Sequence, residues 1–103
     1  MYNRTNQCSS PRFHVLPLSL SLSLSPAGIE VRVDPKPPGG YKHMHHKFCV
    51  IDNRLTITGS FNWTRQAVLS NNENVFITTS GRAARLYKAE FEKLWQKYEK
   101  SRL

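Results

Sequence analysis

The segment between His45 and Asn62 combines side chains that can bind and attack a phosphate ester. Imidazole can act as a nucleophile or proton carrier, whereas lysine, asparagine and serine side chains offer hydrogen-bond donors to phosphate oxygens. The spacing matches H-x-K-x(4)-D-x(6)-G-S-x-N at all six fixed positions, with chance odds of roughly 10⁻⁸ per starting point. The matching residues are His45, Lys47, Asp52, Gly59, Ser60 and Asn62. This pattern predicts chemistry on phosphodiester bonds.

The chain around these residues is expected to bring them to one end of a sheet. Alternate side chains of a strand share a face, so His45 and Lys47 should point one way and His46 the other. The turn formed by residues 59–62 follows the next strand, and a hairpin would return it to the same end. The lysine, serine and asparagine would then hold phosphate oxygens, where fixed donors stabilise the charge that displacement at phosphorus builds.

His45 is the predicted nucleophile of this site. Its attack on phosphorus gives a phosphohistidine, which water later opens. Protonating the leaving oxygen requires a second acid/base, and the sequence offers one copy of the motif. A homodimer with two motifs facing each other across a two-fold axis is the simplest solution, with one His45 attacking and the other donating the proton. Two imidazoles in one site would titrate as a coupled pair.

The motif resembles that of the phospholipase D superfamily, and within it the single-motif members. The similarity runs from His45 through Thr64, resumes at residues 72–75, and covers residues 27–103 as a whole. It extends to the mitochondrial cardiolipin hydrolases, which are Zucchini-type nucleases, and to the small bacterial endonucleases of the same fold. Lipid phosphodiesterases and nucleases in this family share one chemistry, so cardiolipin and single-stranded RNA both stay open as substrates.

The resemblance implies a role for each residue of the site. Glu73 corresponds to a downstream glutamate that orients the catalytic histidine, and Asp52 corresponds to a structural support. The predicted catalytic set is His45, Lys47, Asp52 and Glu73, and the predicted phosphate-binding set is Lys47, Ser60 and Asn62. The family needs no metal or other cofactor, and the resemblance implies the mitochondrial outer membrane as the location.

Hydropathy patterns predict an α/β domain, the C-terminal part of a phospholipase D-like fold, with a mixed sheet of about four strands. The predicted strands are Ile29 to Val33, Lys47 to Ile51, Leu55 to Thr58 and Asn74 to Thr79, with a turn at Asp52-Asn53 and a short helix from Thr64 to Leu69, ended by Asn71 and Asn72. A long C-terminal helix should follow Ser80 as its N-cap. Its core-packing stripe is Ala84, Tyr87, Phe91, Leu94, Trp95 and Tyr98.

Residues 1–26 differ in texture from the rest, and Leu16 to Ser25 is almost only alternating leucine and serine. Alternation of this kind suits a strand with one apolar face. Three interpretations stay open: a secretory-type signal, an organelle-targeting segment without acidic residues, and a low-complexity tail. Family members have a further N-terminal half with a membrane anchor or signal and several strands. Residues 1–26 match none of it, so residues 27–103 are expected to form an N-terminally truncated domain.

The net charge of +8 favours polyanionic partners, either nucleic acid or anionic phospholipid, over a merely solvated basic surface. A catalytically inactive, truncated module that binds anionic lipid or nucleic acid is therefore the alternative to an enzyme. The basic residues available for such binding are Lys42, Arg54, Arg65, Arg82 and Arg85.

The histidines and cysteines give little support to a metal site. His43 and His45 could share a strand face, but no Cys, Asp or Glu lies beside them at ligand spacing. Cys8 and Cys49 form neither a metal-binding spacing nor a disulfide framework. Cys49 lies in an apolar run and is expected to be a small buried hydrophobe.

Overall fold

The computed structural model describes residues 12–14, 25–35 and 44–101. Its strands are β1 (Arg12–His14), β2 (Glu30–Arg32), β3 (Phe48–Ile51), β4 (Leu55–Gly59) and β5 (Val75–Thr78). Its helices are α1 (Arg65–Leu69) and α2 (Gly81–Lys97), with a 3₁₀ turn at Ser25–Ala27. The predicted α/β class and the long C-terminal helix are confirmed.

The β3–β4 hairpin is the element that determines the geometry of the motif. Its turn contains Asp52 and Asn53 with φ angles of 50° and 54°, and Arg54 N donates to Ile51 O at 3.0 Å. Positive φ at both central residues is typical of a type I′ turn, whose twist matches that of paired strands. Short polar side chains tolerate this conformation, which is why an Asp-Asn pair can form it. The predicted turn is confirmed.

Both helices begin at hydroxyl caps, of which Ser80 was predicted from the sequence, whereas Thr64 was expected to be the first residue of its helix. The Thr64 side chain accepts a hydrogen bond from Ala67 N, and the Ser80 side chain accepts one from Ala83 N. Helix α1 ends at Leu69, with Ser70 N donating to Gln66 O, so it stops before the asparagines that were expected to end it.

Helix α2 packs on one face of the three-stranded antiparallel sheet β3-β4-β5. The Tyr87 ring lies 5.0 Å from the Phe48 ring, and the Tyr87 hydroxyl lies 3.5 Å from Thr58 Oγ1. The predicted stripe is confirmed, because its members are buried or half-buried along α2, with Ala84, Leu94, Trp95 and Tyr98 buried.

Arg32 departs from the alternation of apolar and polar residues that the sequence shows along Ile29 to Val33. The sequence pattern places it on the polar face with Glu30, but only 5% of Arg32 is exposed. Its guanidinium carbon lies 4.0 Å from the centre of the Trp95 ring, and its nitrogens donate to Trp95 O and, at 3.2 Å, to Glu30 Oε1. Burial is possible because the charge stacks on an aromatic ring and pairs with an acceptor at the end of α2. Val33 N also donates to Ser101 O at 2.9 Å, so β2 is joined to the segment that follows α2.

The described strands form two pairing sets, whereas a single mixed sheet of about four strands was expected. Strand β1 pairs in parallel with β2, and β3, β4 and β5 pair antiparallel. Strand β1 is only three residues long, too short for an alternation pattern to reveal it. The Leu/Ser alternation before Ser25 lies outside the described residues, and the domain boundary at residue 27 stays a prediction.

Candidate active site

His45 and Lys47 lie together just before β3. Lys47 Nζ is 3.1 Å from His45 Nδ1 and donates to the His45 carbonyl oxygen at 2.8 Å. His46 points the other way, where its ring meets Phe48 edge-on and its Nε2 lies 3.9 Å from Glu90 Oε1. The alternation predicted from the sequence is therefore present, with the imidazole and ammonium on one side and His46 against α2.

Ser60 is held by the loop that precedes β5. Its backbone N–H donates to Asn74 O at 3.1 Å and to Asn74 Oδ1 at 3.2 Å. Asn74 N in turn donates to Ser60 Oγ at 3.1 Å, and the Ser60 hydroxyl donates to Glu73 Oε2. The single hydroxyl proton of Ser60 is thus already used, so a hydrogen bond from Ser60 to phosphate would require exchange of Glu73 for the substrate. The predicted phosphate contact of Ser60 stays a prediction.

Gly59 allows the loop that precedes β5 to approach the end of β4 closely. A Cβ at Gly59 would overlap Asn74 O and come within 3.1 Å of Val75 Cα. These are backbone atoms of β5 and of the residue that precedes it, so they cannot move aside as a flexible side chain could. The glycine of the motif is therefore required by the packing of two backbones.

Glu73 accepts a hydrogen bond from the Ser60 hydroxyl and interacts with the Lys47 ammonium through its charge. The hydrogen bond from the Ser60 hydroxyl lowers the pKa of the Glu73 carboxyl, and a second bond from Asn71 Nδ2, at 2.9 Å, lowers it further. The positive charge of Lys47 also lowers this pKa. Glu73 was expected to orient His45, and in the structure its hydrogen bonds go to Ser60 and Asn71. Glu73 interacts with the charge of Lys47, and Lys47 in turn contacts His45.

Asp52 and Asn62 lie in two different loops, one in the β3–β4 turn and the other after Ser60. Asp52 occupies the β3–β4 turn, at the opposite end of β3 from Lys47, about 16 Å along an extended chain. The structure does not bring Asp52 together with the other site residues, which agrees with a structural role. Asn62 is exposed on the loop after Ser60, and its carbonyl accepts from Thr64 N at 2.7 Å.

The sequence model of the family described as "Cardiolipin synthase, PLD-like domain" matches residues 11–95. The chain belongs to the phospholipase D-like family. It is 51% identical over 75 residues to the human mitochondrial cardiolipin hydrolase, covering 73% of this chain and 28% of that relative. The protein of the same name from Chlamydomonas reinhardtii is 48% identical, with coverages of 71% and 31%. This phospholipase D-like chain spans less than a third of either relative.

The fold has a solved counterpart in the same family. The crystal structure of the phospholipase D family member Nuc from Salmonella typhimurium matches with a TM-score of 0.64 and 25% sequence identity. The match covers 89% of this chain and 61% of Nuc. The arrangement of an antiparallel sheet and a C-terminal helix therefore agrees with that of a phospholipase D-like protein.

Sequence reasoning missed the two asparagines that hold this site. Asn74 fixes Ser60 through backbone and side chain, and Asn71 holds the second carboxylate oxygen of Glu73. Asn74 lies within the family-like stretch of residues 72–75, but neither that resemblance nor the asparagine-rich sequence, which is typical of turns in general, indicated these contacts. Within the described ranges, no cluster of three or more His, Cys, Asp or Glu side chains could hold a metal ion. Nor does any helix of those ranges have the length and apolar character to cross a membrane.

Proposed function

We propose that this chain supplies the catalytic residues of a metal-independent phosphodiesterase that works through a phosphohistidine at His45. The contact between Lys47 Nζ and His45 Nδ1, at 3.1 Å, carries the proposal. It places a potential nucleophile and a fixed positive charge within reach of one phosphate group. The pKa of the Glu73 carboxyl is lowered by Ser60, Asn71 and Lys47, so this carboxylate is negatively charged at neutral pH and interacts with the ammonium through its charge.

In this proposal, the same contact is the resting arrangement of His45 before substrate binds. A lysine ammonium has only N–H donors, so His45 Nδ1 accepts, and a neutral ring then carries its hydrogen on Nε2. A phosphodiester oxygen is charged and therefore a stronger acceptor than an imidazole nitrogen. Substrate would thus draw Lys47 away from His45 and release the Nδ1 lone pair. In this proposal, phosphate binding and activation of the nucleophile are one event.

The reaction then proceeds in two displacements. A ring nitrogen of His45 attacks phosphorus, the P–N bond forms and the P–O bond to the leaving alcohol breaks. A protonated second imidazole gives its proton to the leaving oxygen. Water next attacks phosphorus, that second imidazole takes a proton from the water, and the P–N bond breaks to release the phosphate monoester. Lys47 and Asn62 hold the phosphate oxygens in both steps.

The second imidazole is proposed to be His45 of another copy of this chain. The chain has one such motif, and the exposure of His45 leaves room for a facing site. A two-fold axis through the site would present the two imidazoles to opposite faces of one phosphorus.

Cardiolipin is the first proposed substrate, because the human and Chlamydomonas reinhardtii relatives are named mitochondrial cardiolipin hydrolase. The same names support a mitochondrial location, with the outer membrane as the finer proposal. Single-stranded RNA is the second candidate, supported by the net charge of +8. The alternative, a non-catalytic module for anionic lipid or nucleic acid, would retain binding without turnover.

The test compares two adjacent histidines. His45→Asn and His46→Asn are assayed with EDTA present on cardiolipin vesicles, single-stranded RNA and single-stranded DNA. We expect the His45 variant to lose activity by at least about 10³-fold, and the His46 variant, whose ring faces α2, to remain active. Activity of His45→Asn on any substrate refutes the nucleophile, and a wild-type chain that binds without turnover favours the binding module.

The shared site has its own test. Increasing amounts of His45→Asn chain are added to a fixed amount of wild type after mixing under conditions that exchange subunits. If two copies share a site, mixed dimers carry a single His45, so the activity per wild-type chain falls as the variant is added. Activity that stays constant, with a fully active monomer by light scattering, refutes the shared site.

A further inference from the structure

A small apolar groove opens beside Lys47, on the face of the sheet away from α2. Its volume is about 210 Å³. Lys47 contributes the charged side chain among the groups that line it, and most of the others are aliphatic or aromatic. These apolar side chains are Ile57, Phe61, Trp63, Val75 and Ile77.

The strand register shows which face the groove occupies. Ile77 is paired with Ile57, and directly paired residues of neighbouring strands share a face. Phe76, the next residue along β5, is paired with Thr58, which contacts Tyr87 of α2. The groove therefore lies on the face opposite to α2.

The walls of the groove are more exposed than is usual for apolar strand residues. Ile77 is 60% exposed, Val75 50% and Trp63 40%. A ligand that covers these side chains with hydrocarbon would remove apolar surface from water, and this burial favours its binding. The groove thus has one cationic residue and a row of apolar residues that are accessible to a ligand.

We infer that this groove binds the hydrocarbon portion of a phospholipid whose phosphodiester is held at Lys47. The inference rests on the proposed function and specifies its substrate class. An anionic phospholipid has a negative phosphate joined to apolar chains, which complements a lysine next to apolar walls. A polynucleotide would instead place sugars and further phosphates here, where apolar walls give them no hydrogen bonds.

Base stacking is the competing use of the aromatic residues. Phe61 and Trp63 already pack against each other edge to face, with ring centres 5.8 Å apart and planes at 82°. The remaining walls are Ile57, Val75 and Ile77, which are aliphatic, together with Thr58 and Gly59, and none of these five residues offers a ring to stack on. This composition favours hydrocarbon over a nucleobase.

Binding can be measured without turnover through Trp63. The full chain is mixed with detergent micelles that contain phosphatidylglycerol, with or without bromine on its acyl chains. Trp95 is only 4% exposed, so quenching by bromine should report on Trp63, and Trp63→Phe verifies the assignment. We expect brominated lipid to quench the emission. Wild-type emission that is unchanged by brominated lipid overturns the inference, whether or not the chain is an active enzyme.

Neighbouring residues of β5 provide matched variants. Ile77 and Phe76 are almost equally exposed, at 60% and 59%, but they lie on opposite faces. We expect Ile77→Ser to weaken binding of phosphatidylglycerol roughly tenfold and Phe76→Ser to leave it unchanged. Val75→Ser gives a second variant within the groove, with the same expected direction.

The enzyme assay separates this inference from the proposed function. In an active enzyme, Ile77→Ser should lower kcat/KM for cardiolipin relative to bis(p-nitrophenyl) phosphate, a small diester, by roughly tenfold. Loss of all hydrolysis with lipid binding intact refutes the proposed function alone. Equal effects of the Ile77 and Phe76 variants overturn the groove. The groove is also refuted if Ile77→Ser weakens binding of a single-stranded oligonucleotide. It is refuted as well if light scattering shows that Ile77→Ser converts a dimer of the chain into monomers.

Discussion

The Ser60 hydroxyl donates a hydrogen bond to the Glu73 carboxylate, which lies thirteen positions further along the sequence. Asn74 N donates to the same hydroxyl oxygen at 3.1 Å, so the oxygen of Ser60 both accepts and donates. The carboxylate is thereby fixed close enough to Lys47 for the ammonium charge to lower its pKa. The hydrogen bonds of Ser60 with the loop before β5 thus fix the position of the Glu73 carboxylate.

Glu73→Gln should make the chain less stable at neutral pH and equally stable in acid. The folded-state pKa of Glu73 is lowered, so its carboxylate contributes stability that is complete above the ordinary glutamate pKa of about 4.3. That contribution is lost as pH falls through the lowered pKa. Urea unfolding of both chains at a series of pH values measures the difference in the free energy of unfolding.

Glu92→Gln is the control for Glu73→Gln, because it removes a carboxylate at another position of the chain. Glu92 belongs to α2 and not to the loop that holds Ser60. A difference between wild type and Glu73→Gln that is independent of pH would contradict the assignment of the hydrogen bonds to the ionised carboxylate.

Gly59→Ala should destabilise the chain by about 1–3 kcal/mol, because a Cβ there overlaps the backbone of Asn74. Gly28 is the matched control. Both glycines have a positive φ, 154° at Gly59 and 76° at Gly28, but a Cβ built at Gly28 meets nothing within 4 Å. We expect Gly28→Ala to cost only the local backbone strain, about 1 kcal/mol. Thermal unfolding of both variants measures the difference, and equal losses would argue against the close approach at Gly59.

Thr56→Val should stabilise the chain by about 1 kcal/mol. Thr56 is 0% exposed, and its hydroxyl has no hydrogen-bond partner within the part of the chain that the structure describes. Valine has nearly the same shape and buries no polar atom. Thr58→Val is the comparison, because Thr58 Oγ1 accepts from the Tyr87 hydroxyl at 3.5 Å and would lose that bond. Opposite signs of the change in the free energy of unfolding are expected, measured by urea denaturation.

The local features of the site could be predicted from sequence because they follow from the period of the strand and the chemistry of turns. Alternation was sufficient to bring His45 and Lys47 together and to direct His46 toward α2. Turn and cap residues predicted the Asp52-Asn53 turn and the Ser80 cap. Each of these depends on residues a few positions apart.

The features that were missed depend on contacts between residues far apart in sequence. The burial of Arg32 depends on Trp95, 63 residues away, and no local pattern signals a guanidinium stacked on that ring. The bonds between Ser60 and Asn74 connect residues 14 positions apart. The family resemblance indicated that Glu73 belongs to the site, but only the folded chain shows which group it contacts.

Asp52 should act through its backbone conformation, because it lies in the turn at the far end of β3 from Lys47. Its φ of 50° is one that asparagine adopts readily and β-branched residues do not. Asp52→Asn should therefore preserve both the free energy of unfolding and activity. Asp52→Val should lower the free energy of unfolding by about 1–2 kcal/mol and reduce activity through loss of the hairpin. Urea denaturation and the phosphodiesterase assay are run together on both variants. Inactivation by Asp52→Asn at unchanged stability would show instead that the carboxylate charge itself takes part in the reaction.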